Sequence, residues 1–332
     1  VKKALTYSDV LLIPQYSEIK SRANVSTQIT SKCGKVTAEL PVFSANMDSI
    51  SSVDMMQYIN RKGGIGSLHR FMTVEENVEQ YLQSPENTFC SLGLNDQKRF
   101  EELYMAGCRR YMLDLAHGHS SMMSDALKWL KNKANDIVIV AGNVCTADGA
   151  AFLVDQGADI VKVGVGPGSV CTTRDKTGHG YPQLSAVMEC SSAIPNNSVI
   201  ADGGLKHPGD IVKALAAGAD FVMLGSMFAG SYYTPGRVST VNFLAYKTYR
   251  GMASEDVYEE YSKAGNYKCP EGVSVTVPYK CEAETEKIVL NIVGGLRSGL
   301  TYSGAKNIKD LQAKAKFVEA SSGTKIENGT LK

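Results

Sequence analysis

The run Gly164-Val-Gly-Pro-Gly-Ser-Val-Cys-Thr-Thr-Arg174 is where this chain concentrates reactive chemistry. It follows an apolar, strand-like stretch, Asp159-Ile-Val-Lys-Val-Gly164. Three glycines at alternate positions leave the backbone bare, so amides or carbonyls can close on an ion. Cys171 comes next, flanked by Thr172, Thr173 and Arg174. A thiol beside hydroxyls and a cation, on a loop at a strand end, is a candidate nucleophile. The competing reading is a small buried thiol.

Other polar residues also fall where strand-like runs end. They are Asn46-Met-Asp48, His69-Arg70, Asp114-Leu-Ala-His117, Asn143, Asp202-Gly-Gly204 and Gly225-Ser226. Glycines at 203, 204 and 225, with Ser226 and Ser169, form a candidate phosphate cradle, since bare amides bind oxyanions. Asp202 suits a ribose diol rather than a phosphate. Together they point to a nucleoside monophosphate; the plain alternative is a pair of tight turns. Gly164-x-Gly-x-Gly168 is not a dinucleotide fingerprint, because its third glycine is misplaced and it follows a late strand. The five histidines show no triad spacing, and His117 and His119 are read as surface or ligand contacts, not metal ligands.

Eight short β-rich runs hold these loops: residues 41–46, 64–68, 89–92, 110–115, 137–142, 160–164, 198–202 and 221–225. Helical patterns separate them at 52–61, 74–82, 97–106, 119–134, 146–155, 183–193 and 208–216. Strands with few polar residues, alternating with helices, predict parallel pairing with both faces covered. A degenerate repeat agrees. Ala106-Gly-Cys-Arg-Arg-Tyr-Met-Leu-Asp114, Gln156-Gly-Ala-Asp-Ile-Val-Lys-Val-Gly164 and Ala217-Gly-Ala-Asp-Phe-Val-Met-Leu-Gly225 each read helix end, glycine, strand. Eight such units predict an α/β fold, a (β/α)8 TIM barrel, over an open doubly wound sheet. The expected organisation is one catalytic domain over 1–332, with no tandem regulatory domain. Residues 231–280 show little periodicity and are read as a mobile C-terminal flap over the active face. The Ser/Gly/Thr/Asn/Lys-rich residues 321–332 are read as a flexible tail.

Composition narrows the function classes. A net charge of +1 gives no basic surface for nucleic acid. No run is apolar enough to span a membrane, and residues 1–21 lack a signal-peptide pattern. Eight cysteines without CxxC pairs argue against zinc or a disulfide framework and for reduced, cytoplasmic thiols, with Cys90, Cys145 and Cys190 in the core.

The chain resembles the IMP dehydrogenase/GMP reductase family over nearly its whole length. The resemblance rests on Ala4-Leu-Thr-Tyr-Ser-Asp-Val-Leu-Leu-Ile-Pro14, Ser44-Ala-Asn-Met-Asp48, the cysteine loop 164–174, Ala201-Asp-Gly-Gly204, Tyr249-Arg-Gly-Met252 and Gly294-Gly-Leu-Arg-Ser298. It implies a (β/α)8 barrel, a homotetramer, and Cys171 as nucleophile with Thr173 and Glu271 relaying protons. It assigns Ser169, Asp202, Gly203, Gly204, Gly225, Ser226, Tyr249, Gly251, Met252, Ala253, Lys268 and Gly272 to a GMP or IMP nucleotide. Ser21, Arg22, Arg70, Asp114, Leu115 and Ala116 would meet NADPH. The Gly166, Gly168 and Cys171 carbonyls, beside Arg174, would hold K+.

Within the family, Lys176-Thr-Gly178, Lys20-Ser-Arg22, the missing insertion after Arg70 and a short 254–271 segment without an Arg-Tyr pair resemble GMP reductases. His117, Ser226, Pro270-Glu-Gly272 and the 294–299 segment resemble dehydrogenases, while Ala253 and Lys268 depart from the reductase pattern. The expected activity is therefore NADPH-dependent conversion of GMP to IMP and ammonia. A dehydrogenase making XMP, and a non-catalytic nucleotide-binding barrel, are the alternatives.

Overall fold

A computed structural model describes residues 1–261, 269–321 and 323–324. Its centre is an eight-stranded parallel sheet: β1 (Val42–Ser44), β2 (Gly66–Leu68), β3 (Thr88–Leu92), β4 (Arg110–Asp114), β5 (Val138–Val144), β6 (Ile160–Val163), β7 (Ser198–Asp202) and β8 (Phe221–Leu224). Each strand pairs with its sequence neighbour, and β8 pairs in parallel with β1. Closure comes between β1 and β2, where Ser44 N–H donates to the Ile65 carbonyl at 3.0 Å and Ile65 N–H to that of Val42 at 2.9 Å. The eight strands expected from the sequence are these eight, and the sheet is a barrel.

The order follows from local chemistry. Parallel strands covered on both faces are predominantly apolar, and β1, β2, β3, β6 and β8 are buried at every position. Helices α1 (Val53–Arg61), α2 (Val74–Gln83), α3 (Gln97–Met105), α4 (Ser121–Lys133) and α5 (Ala147–Asp155) follow strands one to five. The hydroxyls of Ser52, Thr73, Ser120 and Thr146 accept from backbone amides in the first turns of α1, α2, α4 and α5. After β6 come the short α6 (Thr173–Thr177) and then α7 (Gln183–Ala193); α8 (Pro208–Ala216) follows β7. The repeat glycines 107, 157 and 218 sit at φ +97°, +105° and +106°, the left-handed turn that returns each helix to its strand.

Residues 231–280 differ from their weak sequence pattern. They carry a three-stranded antiparallel sheet, β9 (Ser239–Val241), β10 (Leu244–Arg250) and β11 (Ser274–Pro278), with α9 (Glu255–Tyr261) between β10 and β11. Much of this sheet is exposed, so no alternation of apolar and polar residues announced it. Buried Lys247 anchors it by donating to the Ser231 and Thr234 carbonyls at 3.0 and 2.5 Å. Then α10 (Glu282–Tyr302) packs on α8, and α11 (Ile308–Lys314) completes the helical layer. The flap residues 262–268, with Lys268, and the tail at 322 and 325–332 lie outside the described residues. All eight cysteines are free; Cys90 and Cys190 are buried and Cys145 is half-buried.

Candidate active site

The ends of the barrel strands surround a cavity of about 330 Å³. Its wall includes Arg70, Asp114, Leu115, Ala116, Gly166, Cys171, Thr173, Asp202, Gly251, Met252, Ala253, Glu271 and Gly272, all expected from the sequence.

Cys171 sits on the loop after β6. Gly164 opens that loop at φ +154°, and a Cβ there would collide with the Asp202 carbonyl oxygen. Cys171 N–H donates to the Gly168 carbonyl at 3.1 Å, turning the chain before α6. The segment 170–172 then pairs with 271–273 from the flap: Thr172 N–H donates to the Glu271 carbonyl at 2.8 Å and Val273 N–H to that of Val170 at 3.0 Å. Glu271 N–H is held by the Ala253 carbonyl at 3.0 Å. This main-chain ladder aligns a side-chain relay. The Cys171 thiol donates to Thr173 Oγ1 at 3.2 Å, and the Thr173 hydroxyl donates to Glu271 Oε2 at 2.8 Å. A nucleophile is thereby linked through one hydroxyl to a carboxyl that can carry a proton.

The cavity floor is a charged cluster. Lys162 of β6 is buried and bonds Asp114 Oδ1 at 2.9 Å and Asp202 Oδ2 at 2.7 Å. Asn46 donates to Asp114 Oδ2 at 2.8 Å, and Asn143 to Asp202 Oδ2 at 2.9 Å. Burial opposes ionisation of Asp114, but the Lys162 ammonium, with Asn46 and Arg70, holds its carboxyl below the usual range. Burial likewise opposes the charged form of Lys162, and the two carboxylates outweigh it and push its pKa up. Sequence reasoning missed Lys162, Asn46 as a contact, and Asn143 as the Asp202 partner. The available signal was a lysine inside the apolar run Ile160-Val-Lys-Val163.

The candidate phosphate corner lies beside the cavity. Gly203 and Gly204 adopt φ +88° and +78°. Ser169 Oγ lies 3.4 Å from the Tyr249 hydroxyl, and a Cβ on Gly225 would lie 3.0 Å from that same hydroxyl. Ser226 follows on the same loop. On the other side, Arg70, Phe71 and Met252 also line a second cavity, of about 700 Å³, between the start of α2 and α9. Ser21 and Arg22 are exposed at a 3-10 turn, Arg22–Asn24, and line neither cavity.

The carbonyl set assigned to K+ is partly engaged, since the Gly168 carbonyl already accepts from Cys171. The Arg174 side chain has no acceptor for a cation; it packs on Gly166 and donates to the Tyr181 carbonyl at 2.7 Å, while the Arg174 carbonyl accepts from Gly178 N–H at 3.0 Å. Among the described residues no cluster of His, Cys, Asp or Glu could hold a metal ion. His117 and His119 are exposed, and no helix among the described residues is long and apolar enough to cross a membrane.

The sequence model of the IMP dehydrogenase / GMP reductase domain matches residues 4–330. The chain belongs to this family of oxidoreductases acting on purine nucleotides. Several relatives align over nearly the whole of this chain. GMP reductase 1 of Homo sapiens is 38% identical over 95% of this chain and 94% of its own. Inosine-5'-monophosphate dehydrogenase of Cryptosporidium parvum is 35% identical over 96% and 92%. A crystal structure of inosine 5' monophosphate dehydrogenase from Legionella pneumophila superposes with a TM-score of 0.88 at 45% identity, covering 97% of this chain and 99% of that one.

Proposed function

We propose that this protein is a GMP reductase: GMP + NADPH + 2 H⁺ → IMP + NH₄⁺ + NADP⁺. The observation that carries this is the relay Cys171–Thr173–Glu271, with its 3.2 and 2.8 Å contacts. The Cys171 thiolate attacks purine C2 and forms a C–S bond. The 2-amino group leaves only as ammonia, so the C–N bond breaks when a proton arrives, from Glu271 through Thr173. When bound, NADPH supplies the hydride that replaces sulfur at C2, and the thiolate departs.

Asp202 takes the ribose diol; Gly203, Gly204, Gly225, Ser226, Ser169 and Tyr249 take the phosphate; Gly251, Met252, Ala253 and Gly272 enclose the base, and Lys268 stays with the nucleotide by resemblance. Asp114, Leu115, Ala116 and Arg70 face the cofactor, the cavity beyond Arg70 giving an elongated ligand room to extend. Ser21 and Arg22 stay with the cofactor by resemblance. Potassium has no step in this scheme.

A reductase needs no base to activate water. The 254–271 segment contains no arginine. Arg250, next to the nucleotide loop, is held by Asp48 at 2.5 Å and Glu260 at 2.6 Å. The dehydrogenase reading, IMP + NAD⁺ + H₂O → XMP + NADH + H⁺, draws support from the 45% identity to the Legionella enzyme. The missing insertion after Arg70 does not by itself separate the two, because the Legionella dehydrogenase structure matches over 97% of this chain and 99% of its own. The test is a parallel assay at 340 nm. GMP with NADPH should lose nicotinamide absorbance and release ammonia, while IMP with NAD should give little XMP. XMP formation at a comparable or faster rate overturns the proposal.

A further inference from the structure

We propose that Lys162 is a positioning residue shared by both ligand sites, one buried ammonium that aims Asp202 at the nucleotide ribose and Asp114 at the cofactor. This rests on the oxidoreductase reading above. Lys162 leaves the middle of β6 and reaches the ends of β7 and β4, bonding Asp202 Oδ2 at 2.7 Å and Asp114 Oδ1 at 2.9 Å. Its side chain is 3% exposed where it lines the cavity floor, so the two carboxylates, not the ammonium, present most of the polar surface to a ligand. The two carboxylates remain 22% and 29% exposed toward the cavity. Asn143 and Asn46 each fix one of them from outside the pair.

The arrangement leaves Asp202 Oδ1 without a hydrogen-bond partner among the described side chains. An ionised carboxylate with one oxygen pinned and the other free is a directed acceptor for a vicinal diol. Without the ammonium, two carboxylates would face each other's field in a buried floor, and the charged form of each would be disfavoured. Of the other ionisable groups nearby, Arg70 acts on Asp114, and Tyr7 and Tyr249 feel the field of Asp202, which raises their phenol pKa values. None of them replaces a cation bonded to both.

The test compares wild type, Lys162→Met and Lys162→Arg across pH, with whichever substrate pair the wild type turns over. Lys162→Met should raise KM for both nucleotide and cofactor by about tenfold or more, the scale of a charge-assisted bond. It should also move the acid limb of kcat/KM upward by about one pH unit or more. Lys162→Arg should return the limb toward wild type. If Lys162→Met does not fold, Lys162→Met with Asp114→Asn keeps the cluster's net charge. Its nucleotide KM should then exceed that of Asp114→Asn alone by about fivefold or more. Unchanged KM values with an unmoved acid limb, or an arginine variant no better than methionine, overturns the proposal. A wild type that turns over neither pair sinks the functional reading instead. Nucleoside monophosphate binding, measured by calorimetry, then still tests Lys162.

Discussion

Replacing Glu271 with glutamine isolates proton supply from geometry. The main chain of Glu271 is fixed on both sides, by the Thr172 amide at 2.8 Å and the Ala253 carbonyl at 3.0 Å. The side chain is half-buried and isosteric with glutamine, and a glutamine oxygen can still accept the Thr173 hydroxyl now 2.8 Å from Oε2. What changes in binding is at most the strength of one hydrogen bond that glutamine can still accept, about 1 kcal/mol, or under tenfold. What changes in chemistry is the loss of a proton donor, about 10²- to 10⁴-fold in kcat, or about 2.7–5.4 kcal/mol. The two contributions separate on the leaving group. A purine nucleotide with chloride at C2 loses chloride without needing a proton, yet reaches the same Cys171 thioimidate. Adduct formation without cofactor, followed by intact-protein mass spectrometry, reads this step alone. Glu271→Gln should form the adduct from the 2-chloro nucleotide within about tenfold of wild type, and should be slowed a hundredfold or more in steady-state turnover of GMP. Equal slowing with both nucleotides would refute leaving-group protonation as the role of the relay.

Cys171→Ala should abolish turnover with either substrate pair while keeping GMP affinity within about threefold by calorimetry, because the nucleotide contacts lie elsewhere; retained turnover would remove covalent catalysis from the scheme. Gly164→Ala forces a Cβ against the Asp202 carbonyl oxygen at φ +154°. Differential scanning should show a midpoint lowered by roughly 5 °C or more, with GMP KM raised because Asp202 shifts. His69 is buried, and burial, with Arg99 and Arg250 nearby, lowers its pKa to about 4. Its Nδ1 accepts the Phe71 amide at 3.2 Å, which requires the neutral ring. The folded pKa lies below the unfolded value near 6.5, so the unfolded chain binds the extra proton between them. The stabilisation is complete above about pH 6.5 and is lost as pH falls toward 4, up to about 3 kcal/mol. Urea unfolding of His69→Gln should show a flatter dependence over that window; a slope matching wild type would contradict the assignment.

Much of the fold is legible because a barrel constrains its strands so strongly. A strand covered on both faces admits few polar residues, and four of the eight runs also follow a left-handed glycine, Gly63, Gly107, Gly157 or Gly218. Boundaries slipped by one or two residues, at the site end as at Ala45 and Asn46 after β1, and also elsewhere, as where β2 starts at Gly66 and β5 runs on to Val144. The flap sheet stayed hidden for the opposite reason. It packs one end on the barrel and leaves Val241, Phe243 and Leu244 exposed, so its residues carry no burial pattern to read.

The site divides along a similar line. Cys171 and Asp202 stand out locally, by a glycine-rich loop and a strand end. Glu271 lies 98 positions from Thr173, and only the resemblance to a family joined them. Lys162 was the least legible. In the sequence it is one charge in an apolar strand, and such a lysine ordinarily marks a strand edge with a solvent-facing side. A closed barrel has no edge, so the ammonium must turn inward, and an inward ammonium must find carboxylates. The two that meet it are those at the ends of β4 and β7, each assigned separately to a different ligand. The charge that looked like an exception to the strand is the group that ties the carboxylates at the ends of β4 and β7 into one cluster.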